Sequence, residues 1–300
     1  MSSPLICALR SVALMVPDLA RAENFYTKTW HLAVVARTAD AIYLRGTGTD
    51  HHVLSFHQGG RTEIRDVTFR ARTHDALPRI AEGAARAGGA IVMPIGQVSE
   101  PGGGVAVTIR DPDGRVFRVV YGDAAQADAG EIRDRPIRLA HVVLNSHDVA
   151  GTQRFFEDAL GFTLADRTRI MAFLNCDRDH HSVALGDATE DSLNHIAFVM
   201  PDLESVMRGG GRMKDAGHPI EWGPGRHGPG DNAFNYFIDP FGVVIEYTAE
   251  IEQIDDSYKV GGPDDWKWPA GRVDHWGISA PPSPRLKEAQ KAIFFAAPGA

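Results

Sequence analysis

The stretch LAHVVLNSHDV at residues 139–149 decides the fold, because a diverged copy of it, LRSVALMVPDL, occupies residues 9–19. The two copies lie 130 residues apart (139 minus 9). Three further matches continue the repeat: HHVLSF at 51–56 with HHSVAL at 180–185, IRDVTF at 64–69 with LNHIAF at 193–198, and DPDG at 111–114 with DPFG at 239–242. The offset falls only from 130 to 128 residues (239 minus 111) over the whole match. The chain therefore contains two copies of one module, with very few insertions or deletions.

Each copy has the pattern of an α+β fold with a mostly antiparallel sheet. An alternating strand ends at Asp18 or Asp148, and either aspartate can cap the helix that follows it. Further strands, a second helix and a hairpin closed by the Asp-Pro-x-Gly turn complete each copy. The domains expected from this organisation are residues 1–122, residues 137–250 and a tail at 251–300. The tail has no counterpart in the repeat, and its three tryptophans indicate that it is packed.

Composition limits the function before any motif is considered. The chain has 300 residues, of which 43% are apolar and 23% charged, as is typical of a soluble globular protein. The formal net charge of −8 disfavours a general nucleic-acid surface. No apolar run approaches the ~20 residues needed to cross a bilayer, and the N-terminus lacks a secretion-signal pattern. With only two cysteines, Cys7 and Cys176, we expect a cytoplasmic protein without a disulfide framework, nucleic-acid partner or membrane contact.

The second copy carries three residues of metal-ligating type at strand positions that face one way. These are His141 and His195, each near the start of a strand, and Glu246 in the apolar last strand. A buried carboxylate is costly unless it is paired or bound to a metal. Two histidines with one carboxylate form the ligand set of mononuclear non-haem iron(II) sites that keep open coordination positions.

The first copy has different residues at the three aligned positions. Ser11, Asp66 and Arg118 stand there, and this set cannot hold a transition metal because serine is a weak ligand and arginine is always cationic. A lone histidine on a strand is more often a hydrogen-bonded core residue than a ligand. Three ligand types at equivalent positions of a duplicated module favour a metal site in the second copy and a structural role for the first.

Taken together, several stretches of the second copy are specific to one family. They read LAHVVL at 139–144, DHHSVAL at 179–185, LNHIAF at 193–198, GPGRHG at 223–228 and FNYFIDPFGVVIEYT at 234–248. With the repeat, they resemble a two-domain extradiol ring-cleaving (catechol 2,3-) dioxygenase of the vicinal oxygen chelate superfamily, which also contains glyoxalases and bleomycin resistance proteins. The resemblance implies tandem βαβββ modules, a homo-oligomer, and a small aromatic diol and O2 as substrates.

The resemblance also implies a role for each site residue. His141, His195 and Glu246 would bind the metal, normally Fe(II) and in some members Mn(II). His181 matches the acid–base histidine of the family. His227 matches a histidine beside the substrate, and Tyr236 matches a tyrosine that hydrogen-bonds the substrate hydroxyl. One departure concerns substrate choice: Val143 stands where some members carry asparagine.

The residues themselves leave other interpretations open. His180 and His181 also read as polar residues at the start of a strand, since the first copy has His51 and His52 at the same place without metal ligands. Tyr236 also fits a core tyrosine. Two other functions remain: a glyoxalase-type isomerase or lyase, and a non-catalytic binding protein of the same superfamily. The first usually needs carboxylate ligands from both modules, and the second needs no metal triad.

Overall fold

The computed structural model describes residues 4–297 and contains one β-sheet for each copy of the repeat. The first sheet has eight strands in the order β2-β3-β4-β1-β5-β8-β7-β6. The pairs β1–β4 and β5–β8 are parallel, and all other neighbouring pairs in this sheet are antiparallel. The elements are β1 (Ile6–Val16), α1 (Leu19–Lys28), β2 (Ala33–Arg37), β3 (Ala41–Arg45), β4 (Leu54–Gln58), β5 (Glu63–Ala71), α2 (Ala76–Arg86), β6 (Ala90–Gln97), β7 (Val105–Arg110) and β8 (Val116–Tyr121).

The second sheet repeats this topology in the order β10-β11-β12-β9-β13-β16-β15-β14. A π-helical turn at Phe156–Leu160 extends the first helix of this copy. The elements are β9 (Leu139–Ser146), α3 (Val149–Phe155), β10 (Thr163–Arg167), β11 (Met171–Asn175), β12 (Val183–Asp187), β13 (Ser192–Val199), α4 (Leu203–Asp215), β14 (Trp222–Arg226), β15 (Ala233–Ile238) and β16 (Val244–Ala249). In the tail, α5 (Pro284–Ala289) precedes β17 (Ile293–Phe294), which pairs with β13.

The structure confirms the α+β fold and the duplicated βαβββ modules. Asp18 and Asp148 cap α1 and α3 by accepting hydrogen bonds from backbone N–H groups three residues later. Strands β2, β6, β10 and β14 were not predicted from the sequence. β14 reads WGPGR, and glycine and proline are rare inside strands. With these strands included, each copy consists of two βαβββ units that meet at adjacent central strands.

The two copies share one continuous hydrophobic core. Trp30, just after α1 of the first copy, is fully buried and stacks on Tyr247 of the second sheet with ring centroids 3.6 Å apart. Phe156 of the second copy packs edge-on against Phe69 and Phe117 of the first sheet. Each copy therefore covers part of the other. Within residues 4–297, the helices are too short or too polar to span a membrane.

Candidate metal centre

Three adjacent central strands of the second sheet bring the predicted ligands together. His141 lies on β9, His195 on β13 and Glu246 on β16. His195 is paired with Val143 across β9 and β13, and Glu246 with Ala197 across β13 and β16. All three side chains are buried.

The ligand atoms form a nearly equilateral triangle. Oε2 of Glu246 lies 3.1 Å from Nε2 of His141 and 3.1 Å from Nε2 of His195, and the two Nε2 atoms are 3.3 Å apart. Adjacent ligands of an octahedral ion with bonds of about 2.1 Å are separated by roughly 3.0 Å, which is √2 times the bond length. The triangle therefore has the size of one face of a coordination octahedron, and the three residues fit a divalent transition metal.

The charge state of the triangle also suits a cation. Burial alone would raise the pKa of Glu246, but His141 and His195 outweigh it and hold that pKa well below its usual range. Burial lowers the pKa of His195 to about 4, against the favourable influence of Glu246. The centre therefore presents an ionised carboxylate beside a neutral imidazole at neutral pH, as metal coordination requires.

Hydrogen bonds with neighbouring amides orient two of the candidate ligands. Nδ1 of His195 donates to Oδ1 of Asn194 at 2.8 Å, which leaves the lone pair of Nε2 free to coordinate. Nδ2 of Asn232 donates to Oε1 of Glu246 at 3.4 Å and to Oγ1 of Thr248 at 2.7 Å. The sequence interpretation missed both asparagines. Asn194 could have been noticed because it precedes a ligand and is replaced by Arg65 in the first copy.

His181 lies beside the metal centre and is the inner end of a buried hydrogen-bonded chain. Its ring is 4.4 Å from that of His141, centroid to centroid. Nδ1 of His181 and Nδ1 of His180 are 3.0 Å apart, and Nε2 of His180 donates to Oδ2 of Asp166 at 2.7 Å. Because a neutral imidazole carries one proton, His180 then accepts from Nδ1–H of His181. This leaves Nε2 of His181 unprotonated and able to act as a base, and burial holds the pKa of His181 well below its usual range.

The first copy has the same pair of histidines without the carboxylate. Nδ1 of His51 and Nδ1 of His52 are also 3.0 Å apart. Ala36 on β2 stands where β10 has Asp166, at the same register shift in both sheets. The histidine pair therefore belongs to the fold, whereas the carboxylate that orients it is found only in the copy with the candidate metal ligands. The difference between Ala36 and Asp166 is visible in the sequence, where ART at 36–38 aligns with DRT at 166–168.

Tyr236 and His227 complete the ring of side chains around the triangle. Tyr236 is directly opposite Glu246 across β15 and β16 and is buried. Its hydroxyl oxygen lies 3.0 Å from Nε2 of His227 and 3.4 Å from Nε2 of His195. Burial, together with Glu246, raises the pKa of the Tyr236 phenol well above its usual range, so the hydroxyl keeps its proton. His227 follows β14 and is partly exposed at the rim.

The aligned positions of the first copy form an ion-pair cluster. Nη2 of Arg118 lies 3.4 Å from Oδ2 of Asp66, and its Nη1 lies 2.6 Å from Oε2 of Glu100. Within residues 4–297, one other group besides the His141 triangle brings three metal-ligating side chains together: Asp113, His147 and Asp191. There, the guanidinium of Arg115 already pairs with both aspartates.

The C-terminal tail runs around the rim of the site. The Tyr258 hydroxyl donates to Oδ2 of Asp166 at 2.9 Å. The ring of Trp268 packs so closely on Gly228, beside His227, that there is no room for a Cβ. The guanidinium of Arg226 lies over Trp276, 4.9 Å from the ring centroid. The tail thus contacts Asp166, the hydrogen-bond partner of His180, and the chain neighbours of His227.

The fold and site together define a duplicated βαβββ protein with a candidate mononuclear metal centre in its second copy. A model of the Glyoxalase/Bleomycin resistance protein/Dioxygenase superfamily matches residues 8–119 and 138–247. Metapyrocatechase 2 of Cupriavidus necator is 30% identical and aligns over 90% of this chain and 88% of its own length. The manganese-dependent 2,3-dihydroxybiphenyl 1,2-dioxygenase of Geobacillus genomosp. 3 is 24% identical over 76% of this chain and 80% of its own.

A solved structure is similar over almost the entire chain. The crystal structure of the Mn(II)-bound glyoxalase from Novosphingobium aromaticivorans superposes with a TM-score of 0.87 and 31% identity, covering 94% of both chains. The chain belongs to the Glyoxalase/Bleomycin resistance protein/Dioxygenase superfamily, in its family of two-domain extradiol dioxygenases.

Proposed function

We propose that this protein is an extradiol dioxygenase that uses a divalent metal and O2 to cleave a catechol-type ring next to its vicinal diol. The observation that carries the proposal is the triangle of His141, His195 and Glu246, with edges of 3.1–3.3 Å and an ionised carboxylate. A divalent ion held by these three residues would keep open coordination positions for a diol and O2. An oriented histidine, His181, packs against the proposed ligand His141 with ring centroids 4.4 Å apart, and ring cleavage requires such an acid–base group.

We propose Fe(II) as the metal, with Mn(II) as the alternative that the manganese-dependent relative supports. When bound, such an ion brings the electron-rich diol and O2 to one centre and lowers the pKa of the hydroxyl that it contacts. With two neutral histidines and one carboxylate as ligands, a divalent ion keeps a net positive charge. The protein therefore favours an anionic diolate over a neutral diol.

The surrounding residues supply the proton transfer and the orientation. Nε2 of His181 accepts the hydroxyl proton and later returns it to the opening ring. Burial lowers the pKa of His181, so its ring is a neutral base at first, and once it holds the substrate proton it is an acid that readily gives the proton back. Tyr236, protonated throughout, donates to a substrate oxygen. His227 contacts the Tyr236 hydroxyl at 3.0 Å and fixes its direction.

Metal analysis and a substrate panel test this proposal. The protein should be purified anaerobically, reconstituted with Fe(II) or Mn(II), and offered monocyclic, bicyclic and carboxylated catechols. We expect about one metal ion per chain, O2 uptake and the yellow ring-opened product. A protein that binds no metal, or that takes up no O2 with any of the catechols, would refute the assignment.

The second candidate is a metal-dependent isomerase of the glyoxalase type, which the similarity to the Mn(II)-bound glyoxalase favours. An oxoaldehyde–thiol adduct offered to the same preparation separates the two. Isomerisation without O2 uptake would support the alternative, whereas O2-dependent ring opening supports the dioxygenase. The ion-pair cluster of Arg118, Asp66 and Glu100 weighs against a site shared between both modules.

We further propose that the chain is divided into a structural module at 1–122, a catalytic module at 137–250 and a tail at 251–300.

A homo-oligomer is supported by the apolar surface of edge strand β6, on which Ile91, Val92 and Met93 are exposed. Sedimentation of the parent chain and of Met93→Glu tests this. A cytoplasmic location is supported by the free thiols of Cys7 and Cys176.

A further inference from the structure

The amide of Gln290, at the end of helix α5 in the tail, reaches a residue that orients a proposed metal ligand. Nε2 of Gln290 donates to Oδ1 of Asn194 at 2.8 Å, and the same oxygen accepts the Nδ1–H of His195 at 2.8 Å. We propose that Gln290 is a positioning residue for the metal centre and acts on His195 through Asn194. This inference rests on the metal site proposed above.

A third amide closes the network. Nδ2 of Asn194 donates to Oδ1 of Asn145 at 2.9 Å. Nδ2 of Asn145 donates in turn to the backbone carbonyl of Gln290 at 2.6 Å and to Oγ of Ser192 at 2.9 Å. The side-chain amides of Asn145 and Asn194 are therefore each fixed by at least two partners, and Asn194 has one allowed orientation, with its oxygen towards His195 and Gln290.

The network occurs only in the copy that has the metal ligands. In the first copy, Arg65 takes the place of Asn194 and Met15 that of Asn145, and the tail has no counterpart there. The two histidine ligands also differ. Nδ1 of His141 is buried without a hydrogen-bond partner among the described residues, so the amide network serves His195 alone.

The tail is anchored on both sides of Gln290, which makes the amide a fixed donor. Leu286 of α5 is fully buried in a cluster with Tyr236 and Phe234 of strand β15. Beyond Gln290, Ile293 of β17 is paired with Leu193 at the start of β13. The position of the Gln290 side chain is therefore set by the same strands that carry the proposed site.

The physical consequence is a smaller range of ring orientations for His195. Its Nδ1–H bond fixes which nitrogen carries the lone pair and the direction in which Nε2 points. Losing hydrogen bonds of this kind around a ligand typically lowers metal affinity or activity by about 10–100-fold. Because Gln290 acts one residue further out, we expect an effect of about tenfold, at the lower end of that range.

Titration of the metal-free protein with Mn(II), following the free ion by EPR, tests the inference without relying on turnover. Gln290→Met keeps the side-chain length and removes the donor, and should raise the Mn(II) dissociation constant about tenfold. Gln253→Met is the matched control in the tail, because Gln253 donates to Asp179 and takes no part in the network. It should bind Mn(II) like the parent.

A double-mutant cycle separates positioning from general loss of structure. If Gln290 acts through Asn194, then Gln290→Met should have no further effect on Mn(II) affinity in an Asn194→Ala background. Asn194→Ser replaces that background if the alanine variant fails to fold. A dissociation constant for Gln290→Met within twofold of the parent, or effects of the two changes that simply add, would overturn the inference. A parent chain that binds no Mn(II) would instead overturn the proposed function.

Discussion

Replacement of Asp166 by asparagine tests whether the buried chain from Asp166 through His180 sets the protonation of His181. The carboxylate accepts Nε2–H of His180, so His180 must accept from Nδ1–H of His181, and Nε2 of His181 remains a base. In Asp166→Asn, His180 can reverse its tautomer at no cost. It would then donate to His181, whose proton would move to Nε2, where it blocks the acceptance of a substrate proton.

The size of the effect follows from the partners of Asp166. Its Oδ2 faces His180, and its Oδ1 accepts from the backbone N–H of Gly261 at 2.5 Å. If Nε2 of His181 is to stay unprotonated, His180 must keep its proton on Nε2. The NH2 group of the new asparagine then faces either this N–H or the backbone N–H of Gly261, and both are donors. Each orientation leaves a buried donor unpaired at a cost of about 1–3 kcal/mol. At 1.36 kcal/mol per decade this reduces the active tautomer, and the rate, by about 5- to 150-fold.

The assay is ring cleavage at saturating O2 with the metal content measured in the same samples. We expect Asp166→Asn to keep its metal and to lose rate over the whole pH range, since a misplaced proton on a neutral ring is not restored by raising the pH. Tyr258→Phe is the control. It removes another donor to Asp166 but leaves His180 paired, and should change the rate less than threefold. A fully metallated Asp166→Asn protein with a rate within twofold of the parent would refute the tautomer argument.

Three further outcomes are expected. His181→Phe retains the packing on His141 and should keep its metal, while ring cleavage falls by about 10²–10⁴-fold, the usual contribution of acid–base catalysis; unchanged turnover would contradict the assigned role. Glu246→Gln removes the anionic member of the proposed ligand set. Mn(II) affinity should therefore fall by more than the 10–100-fold typical of residues that only hydrogen-bond a ligand. A loss of Mn(II) affinity of 100-fold or less, measured by EPR, would contradict coordination by Glu246. Burial holds the pKa of His195 at about 4, so below pH 6.5 the unfolded metal-free chain takes up a proton that the folded chain does not. The free energy of unfolding of the metal-free protein should therefore decrease as the pH is lowered. His195 alone should account for a loss of about 2–3 kcal/mol at pH 4.5 relative to neutral pH. Denaturant unfolding of His195→Gln should lack that part of the loss, and an identical pH dependence would exclude His195 as its source.

The repeat made the fold and the triangle accessible from sequence because both depend on local patterns. Alternation fixes which face of a strand a residue occupies, so His141, His195 and Glu246 could be assigned to one face from their strand positions. The duplicate then supplied an internal comparison. Asp166 was equally accessible in principle, since the first copy has Ala36 at the aligned position, but a single carboxylate in a short strand carried no periodic signal.

Gln290 could not be found in that way. It lies in a tail without a counterpart, and its partner Asn194 is 96 residues away along the chain. Contacts of this separation depend on the path of an irregular segment, which hydrophobic periodicity does not encode. The edge strand β14 was missed for a related reason. Its glycines and proline form a strand because β15 and the tail cover it, as in the hydrogen bond from Ser279 to the carbonyl of Pro224 at 2.6 Å.

The first copy shows what replaces the proposed metal ion when the ligands are absent. Arg118 stands at the position of Glu246, and its guanidinium pairs with Asp66, at the position of His195, and with Glu100. Despite burial, which opposes ionisation, Arg118 and Arg65 hold the pKa of Glu100 at about 2. Buried carboxylates such as Asp66 and Glu246 on the central strands need a cation whichever module contains them. In the second copy that charge would come from a bound ion, and in the first it comes from a side chain. This exchange explains how two modules of one fold can differ in chemistry while both keep a polar centre.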